Sequence, residues 1–128
     1  MKLLIATLTF SVLLFSCNKE PGQGGTSSVS GKVYRIETNS LGDTLAQYYA
    51  PDYDVYFIYG TEDLTYDDKF STSYDGSYTF TNLTPGSYTV FAYSRCDLCA
   101  SGDTAVSMTF DITEKKSAIE LEDLVVFK

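Results

Sequence analysis

Apolar and polar residues alternate in short runs along most of this chain: VSGKVYRI (29–36), YDVYFIYG (53–60), DKFSTS (68–73), SYTFTNL (77–83), SYTVFAYS (87–94), AVSMTFDI (105–112) and AIELEDLVVF (118–127). The runs are rich in Tyr, Val, Phe, Ile and Thr, which suit a pleated and half-buried surface, and Gly, Asp, Asn or Pro separates most of them. No 3.6-residue period persists long enough to make an amphipathic helix. Seven such runs after residue 28 predict an all-β fold, a seven-stranded antiparallel Greek-key β-sandwich. Asp75-Gly76, between two runs, reads as a two-residue hairpin loop, because both positions tolerate positive φ. The stretch 37–52 breaks the pattern and is expected to be a loop with some irregular structure.

Two runs are apolar on both faces. In 87–94, Tyr88, Val90 and Ala92 share one side, and Phe91 and Tyr93 lie with Thr89 on the other. In 53–60, Tyr53, Val55, Phe57 and Tyr59 oppose Asp54, Tyr56, Ile58 and Gly60. One side of each fills the core. The other leaves Tyr56, Ile58, Phe91 and Tyr93 either as a binding face or as the floor under the 37–52 loop, with its Tyr48-Tyr49.

The front of the chain carries an address. Met1-Lys2 is followed by a run, Leu3 to Phe15, that is apolar except at Thr7, Thr9 and Ser11. That is short for a membrane span and right for a signal-peptide core. It closes on Leu14-Phe15-Ser16-Cys17, which resembles the lipobox of Gram-negative lipoproteins. The resemblance implies acylation of Cys17 after removal of residues 1–16. NKEPGQGGTSS then has the composition of a flexible tether over 17–27, leaving 28–128 for one domain. The expected location is the outer membrane of a Gram-negative envelope, facing periplasm or cell surface.

Charge narrows the partners. The chain has 9 basic and 17 acidic residues and no histidine, a net charge of −8 that becomes −9 once Lys2 leaves with the leader. Scattered acidity of this kind gives solubility and excludes nucleic acid, which needs clustered Lys and Arg.

Asp75-Gly76, then Tyr78-Thr79-Phe80, Leu83, Pro85-Gly86 and Tyr88-Thr89-Val90, resemble the signature of carboxypeptidase regulatory-like and collagen-adhesin B-type domains, and Gly31-Lys32-Val33 resembles their opening strand. These families share a prealbumin-like (transthyretin-like) seven-stranded sandwich. Independently of the family, Pro85 presets the turn, Gly86 supplies an unusual backbone position, and Tyr88 is placed to return its hydroxyl to the backbone as a tyrosine corner. Some adhesin-type relatives crosslink a lysine to an asparagine. Lys32 stands where such a lysine would, but Asn39 and Asn82 lie in expected turns and TVFAYS carries no assisting acid, so Lys32 reads as a surface residue.

Candidate chemistry is sparse. Without histidine there is no usual base for a Ser or Cys nucleophile and no imidazole metal ligand. Asp52 and Asp54 read as a solvated strand start, and TEDLTYDD (61–68) lacks calcium-loop spacing, so no cofactor and no metal are expected. Cys96-x-x-Cys99 follows a strand and opens no helix. With Cys17 acylated, this remaining pair in an oxidising compartment is expected to form a structural disulfide. Asp43-Thr44-Leu45 and Asp103-Thr104-Ala105 resemble an O-glycosylation motif of some anaerobic Gram-negative bacteria, which makes Thr44 and Thr104 candidate glycosylation sites in expected loops. The plain alternative is that Asp-Thr favours turns. The expectation is a non-enzymatic, membrane-anchored binding or spacer domain contacting another envelope protein. The alternative is a glycan-binding accessory module of a nutrient-capture system.

Overall fold

The computed structural model describes residues 20–62 and 65–128. The expected signal peptide and the lipidation site Cys17 lie outside these residues. Nine strands run in order as β1 (Gln23–Thr38), β2 (Thr44–Tyr49), β3 (Asp54–Tyr59), β4 (Asp68–Ser71), β5 (Ser77–Leu83), β6 (Gly86–Arg95), β7 (Asp103–Ile112), β8 (Ala118–Glu120) and β9 (Leu124–Phe127). They make two facing sheets. One is built on β1, which takes β5 and β2 along one edge and β8 and β9 along the other; the second has the order β4-β3-β6-β7.

The core follows from the alternation. Val29 and Val33 of β1 point inward with Val55 and Phe57 of β3, Tyr78 and Phe80 of β5, Tyr88 and Val90 of β6, and Leu124 and Val126 of β9. Burying each of these large side chains contributes about 2 kcal/mol. Phe80, Phe57 and Tyr88 stack in series, with ring centres 4.3 Å and 5.2 Å apart, and Phe110 continues the stack 5.6 Å from Tyr88. The tyrosine corner is present: the Tyr88 hydroxyl donates to the Thr84 carbonyl at 2.6 Å and accepts from the Gly22 N–H at 2.9 Å. It ties the start of the domain to the Pro85-Gly86 turn.

Several expectations are corrected. Among the described residues the strands number nine instead of seven, because 37–52 contains β2 and the last run divides into β8 and β9. The β1 sheet is mixed, since β8 and β9 run parallel to β1. Part of the expected tether is folded: Gln23–Ser27 belong to β1 and Gln23 pairs with Leu83. Gly25 is needed there, because any side chain would run into the Leu83 carbonyl. The turn at Asp75-Gly76 forms, with Gly76 at φ 78° and its N–H on the Ser73 carbonyl at 2.9 Å. It joins β4 to β5 across the two sheets, however, so it is an arch between layers and not a hairpin.

Candidate functional site

The outer side of the second sheet gathers the aromatic residues that alternation placed there. Tyr56 pairs with Phe91 across β3 and β6, and their rings stack 5.0 Å apart at 16°. Tyr93 meets Tyr56 edge-on at 5.4 Å, and Tyr66, from the β3–β4 connection, lies 4.8 Å from Tyr56. Of the four predicted face residues, Ile58 and Phe91 are buried, Tyr56 is half-buried and Tyr93 is 46% exposed. The accessible aromatic surface is therefore narrower than the sequence implies and centres on Tyr93, Tyr56 and Tyr66. The 37–52 segment does not fold over it, because β2 pairs with β1 in the opposite sheet.

At the Tyr93 end this surface falls into an open cleft of about 330 Å³, lined by Arg35, Asp52, Tyr53, Asp54, Tyr56, Tyr93 and Lys128. Tyr53 forms the floor. Its hydroxyl donates to the Tyr93 carbonyl, and the Lys128 ammonium lies 5.6 Å from its ring centre. Burial pushes the Tyr53 phenol up, against the nearby Arg35 guanidinium and with Asp103 adding to the rise. Burial likewise raises Tyr56, helped by Asp54. Both phenols stay neutral at ordinary pH, the Tyr53 proton being held by the Tyr93 carbonyl.

The charged rim is partly tied down. Asp54 accepts from the Ser71 hydroxyl at 2.7 Å and faces the Lys69 ammonium at 3.7 Å. Arg35 pairs with Glu37 at 2.8 Å, while its Nε is buried with no partner among the described residues. Asp52 holds an exposed left-handed turn position at φ 51°. Together the walls offer flat apolar ring faces beside hydrogen-bond donors and acceptors of both charges. That suits reversible capture of a polar molecule with apolar faces.

Sequence reasoning found Tyr56 and Tyr93 but missed Tyr53, Arg35, Lys128 and Tyr66. Alternation puts Tyr53 on the core side, and nothing local shows that the core ends beside it. Arg35 and Lys128 converge only because β9 runs alongside β1.

The other predicted residues lie elsewhere. Cys96 and Cys99 are joined in a disulfide, Cα atoms 5.3 Å apart, at the tip between β6 and β7. Thr44 and Thr104 are exposed as expected, but in strands: Thr44 opens β2 opposite Thr38, and Thr104 pairs with Ser94 in β7. Lys32 lies on the outer side of β1, its ammonium 4.7 Å from the centre of the Tyr49 ring. Among the described residues no group of three or more acidic, His or Cys side chains is placed to hold a metal ion.

No family model and no curated protein matches the chain. Among solved structures it is similar to the crystal structure of a "putative carbohydrate binding protein" from Pseudomonas aeruginosa, with a TM-score of 0.49 and 13% identity over 84% of this chain and 91% of that one.

Proposed function

We propose that this chain is a lipid-anchored envelope protein whose sandwich domain binds glycans without transforming them. The observation that carries the reading is the junction of the exposed Tyr93 ring and the half-buried Tyr56 ring with the cleft over Tyr53. Sugar rings present flat C–H faces that stack on aromatic rings, and hydroxyls around their rims that need paired donors and acceptors. Tyr56 and Tyr93 supply the first, and Asp52, Arg35 and Lys128 the second. Affinity-gel retardation against a panel of soluble polysaccharides tests this. Retardation by at least one of them is expected, and Tyr56→Ala with Tyr93→Ala weakens it by about tenfold, the loss of two stacking contacts. A panel with no retardation overturns the reading.

Contact with another envelope protein through the same face is the second reading. It has less support, because burial of Ile58 and Phe91 removes much of the apolar area a protein partner would cover. The anchor is proposed at Cys17, at the outer membrane, ahead of a prealbumin-like domain of the carboxypeptidase regulatory-like kind. Cys17→Ala should release the protein from the membrane fraction, and protease shaving of intact cells decides between periplasm and surface. The exposed Thr44 and Thr104 are proposed as glycosylated in a host with that pathway. Intact mass of native protein against Thr44→Ala and Thr104→Ala reads this directly.

A further inference from the structure

Sheet edges are normally protected from unwanted pairing by shortness, charge, proline or bulges. Most edges here follow that rule. β4 has four residues, with Asp68 and Lys69 among them; β8 and β9 have three and four. β2 is cut by a register shift at Glu37–Thr38, and β5 carries the left-handed Asn82 next to its last residue, with two register shifts against β1. β7 is different. It pairs with β6 through ten consecutive residues without a shift, from Asp103 opposite Arg95 to Ile112 opposite Gly86, and it contains no Pro, Gly, Lys or Arg. Among the described residues its other edge has no strand on it.

The side chains along that edge are prepared for a neighbour. The inward row Val106, Met108 and Phe110 is only half-buried, and so are Ile119 and Leu121 beside β8. The core thus reaches the surface along this flank. The outward row, Asp103-Ala105-Ser107-Thr109-Asp111, is exposed throughout. It is small in the middle and acidic at both ends, and neither aspartate is in an ion pair among the described residues.

We propose that β7 is a docking edge for an extended segment of another polypeptide, with alternate apolar residues and a Lys or Arg near each end. The segment adds a fifth strand to the β4-β3-β6-β7 sheet, and backbone hydrogen bonds supply the affinity. Its apolar side chains cover Met108, Phe110 and Leu121, and its cations face Asp103 and Asp111, about 27 Å apart at 3.4 Å per residue. A second copy fits poorly. Symmetric antiparallel pairing centred on Ser107 sets Asp103 of each copy against Asp111 of the other.

The test uses the mature chain, carrying no glycan on Thr104, and two synthetic peptides of alternating valine and threonine, one with a lysine at each end and one with glutamates. Hydrogen exchange with the lysine peptide should slow in 103–112 and stay unchanged in 44–49 and 68–71. The Asp103→Lys/Asp111→Lys double variant, both changes being on the exposed row, should bind the lysine peptide about tenfold more weakly and prefer the glutamate peptide. Equal binding of the two peptides by the unaltered chain overturns the proposal. So does protection that falls on another edge or on the aromatic face, or a dimer in sedimentation whose β7 is protected without peptide.

Discussion

Tyr78 shows how a single residue's chemistry is set by its neighbours. It is fully buried and its hydroxyl has no partner among the described residues. A buried hydroxyl without a hydrogen bond is destabilising, so Tyr78→Phe should raise stability by about 1 kcal/mol in urea denaturation, where most tyrosine truncations lower it. Burial also pushes the phenol up to about 12, with the Asp123 carboxylate adding to it. An unfolded tyrosine titrates near 10, so the folded state is favoured fully below that pH and loses the advantage as pH rises through about 12. Stability of the unaltered chain should therefore fall more steeply between pH 10 and 12 than that of Tyr78→Phe. Gly31 is the companion residue, since a methyl group there would overlap the Tyr78 phenol. Gly31→Ala should cost about 1–3 kcal/mol, as overpacking does, and less in a Tyr78→Phe background, where the nearest oxygen is gone. Tyr88 was legible from sequence because its corner is made within the Thr84–Tyr88 turn. The Gly31–Tyr78 approach was not, because it depends on the register between β1 and β5.

At the scale of elements, legibility followed burial. β3, β5 and β6 each bury an alternating core row, Val55 and Phe57, Tyr78 and Phe80, and Tyr88, Val90 and Ala92, and those rows were readable from the alternation. β2 leaves five of its six residues exposed, so its sequence carries no buried stripe, and only its pairing with the far end of β1 makes it a strand. Burial of Ile58 and Phe91 escaped for a related reason: alternation says which side a residue takes, but not how far neighbouring segments cover that side. The β6–β7 hairpin illustrates a different balance. Its tip is held by the disulfide and by backbone bonds, Cys96 N–H to Gly102 O at 2.8 Å and Gly102 N–H to Cys99 O at 3.0 Å. Closing so short a loop contributes about 2 kcal/mol in the chain-entropy estimate. Cys96→Ser with Cys99→Ser should lower unfolding stability by no more than that, with glycan retardation unchanged, since neither cysteine lines the cleft.

For the molecule as a whole, β1 is the hub: β5 and β2 hold one edge, and β8 and β9 hold the other. The last partners to be synthesised therefore close the first strand, and they do so in parallel, with no hairpin to guide them. Such pairings must be found across most of the chain, and domains dominated by them fold in milliseconds to seconds. A chain stopped after residue 117 would lack Leu124 and Val126 from the core and leave β1 half-paired; circular dichroism should show it unfolded, and a native-like spectrum would contradict this account. Time thus enters the design. While the polypeptide is being synthesised, its opening strand waits unpaired on one side until the closing strands arrive, so the β1 sheet stays incomplete until the last strands are made.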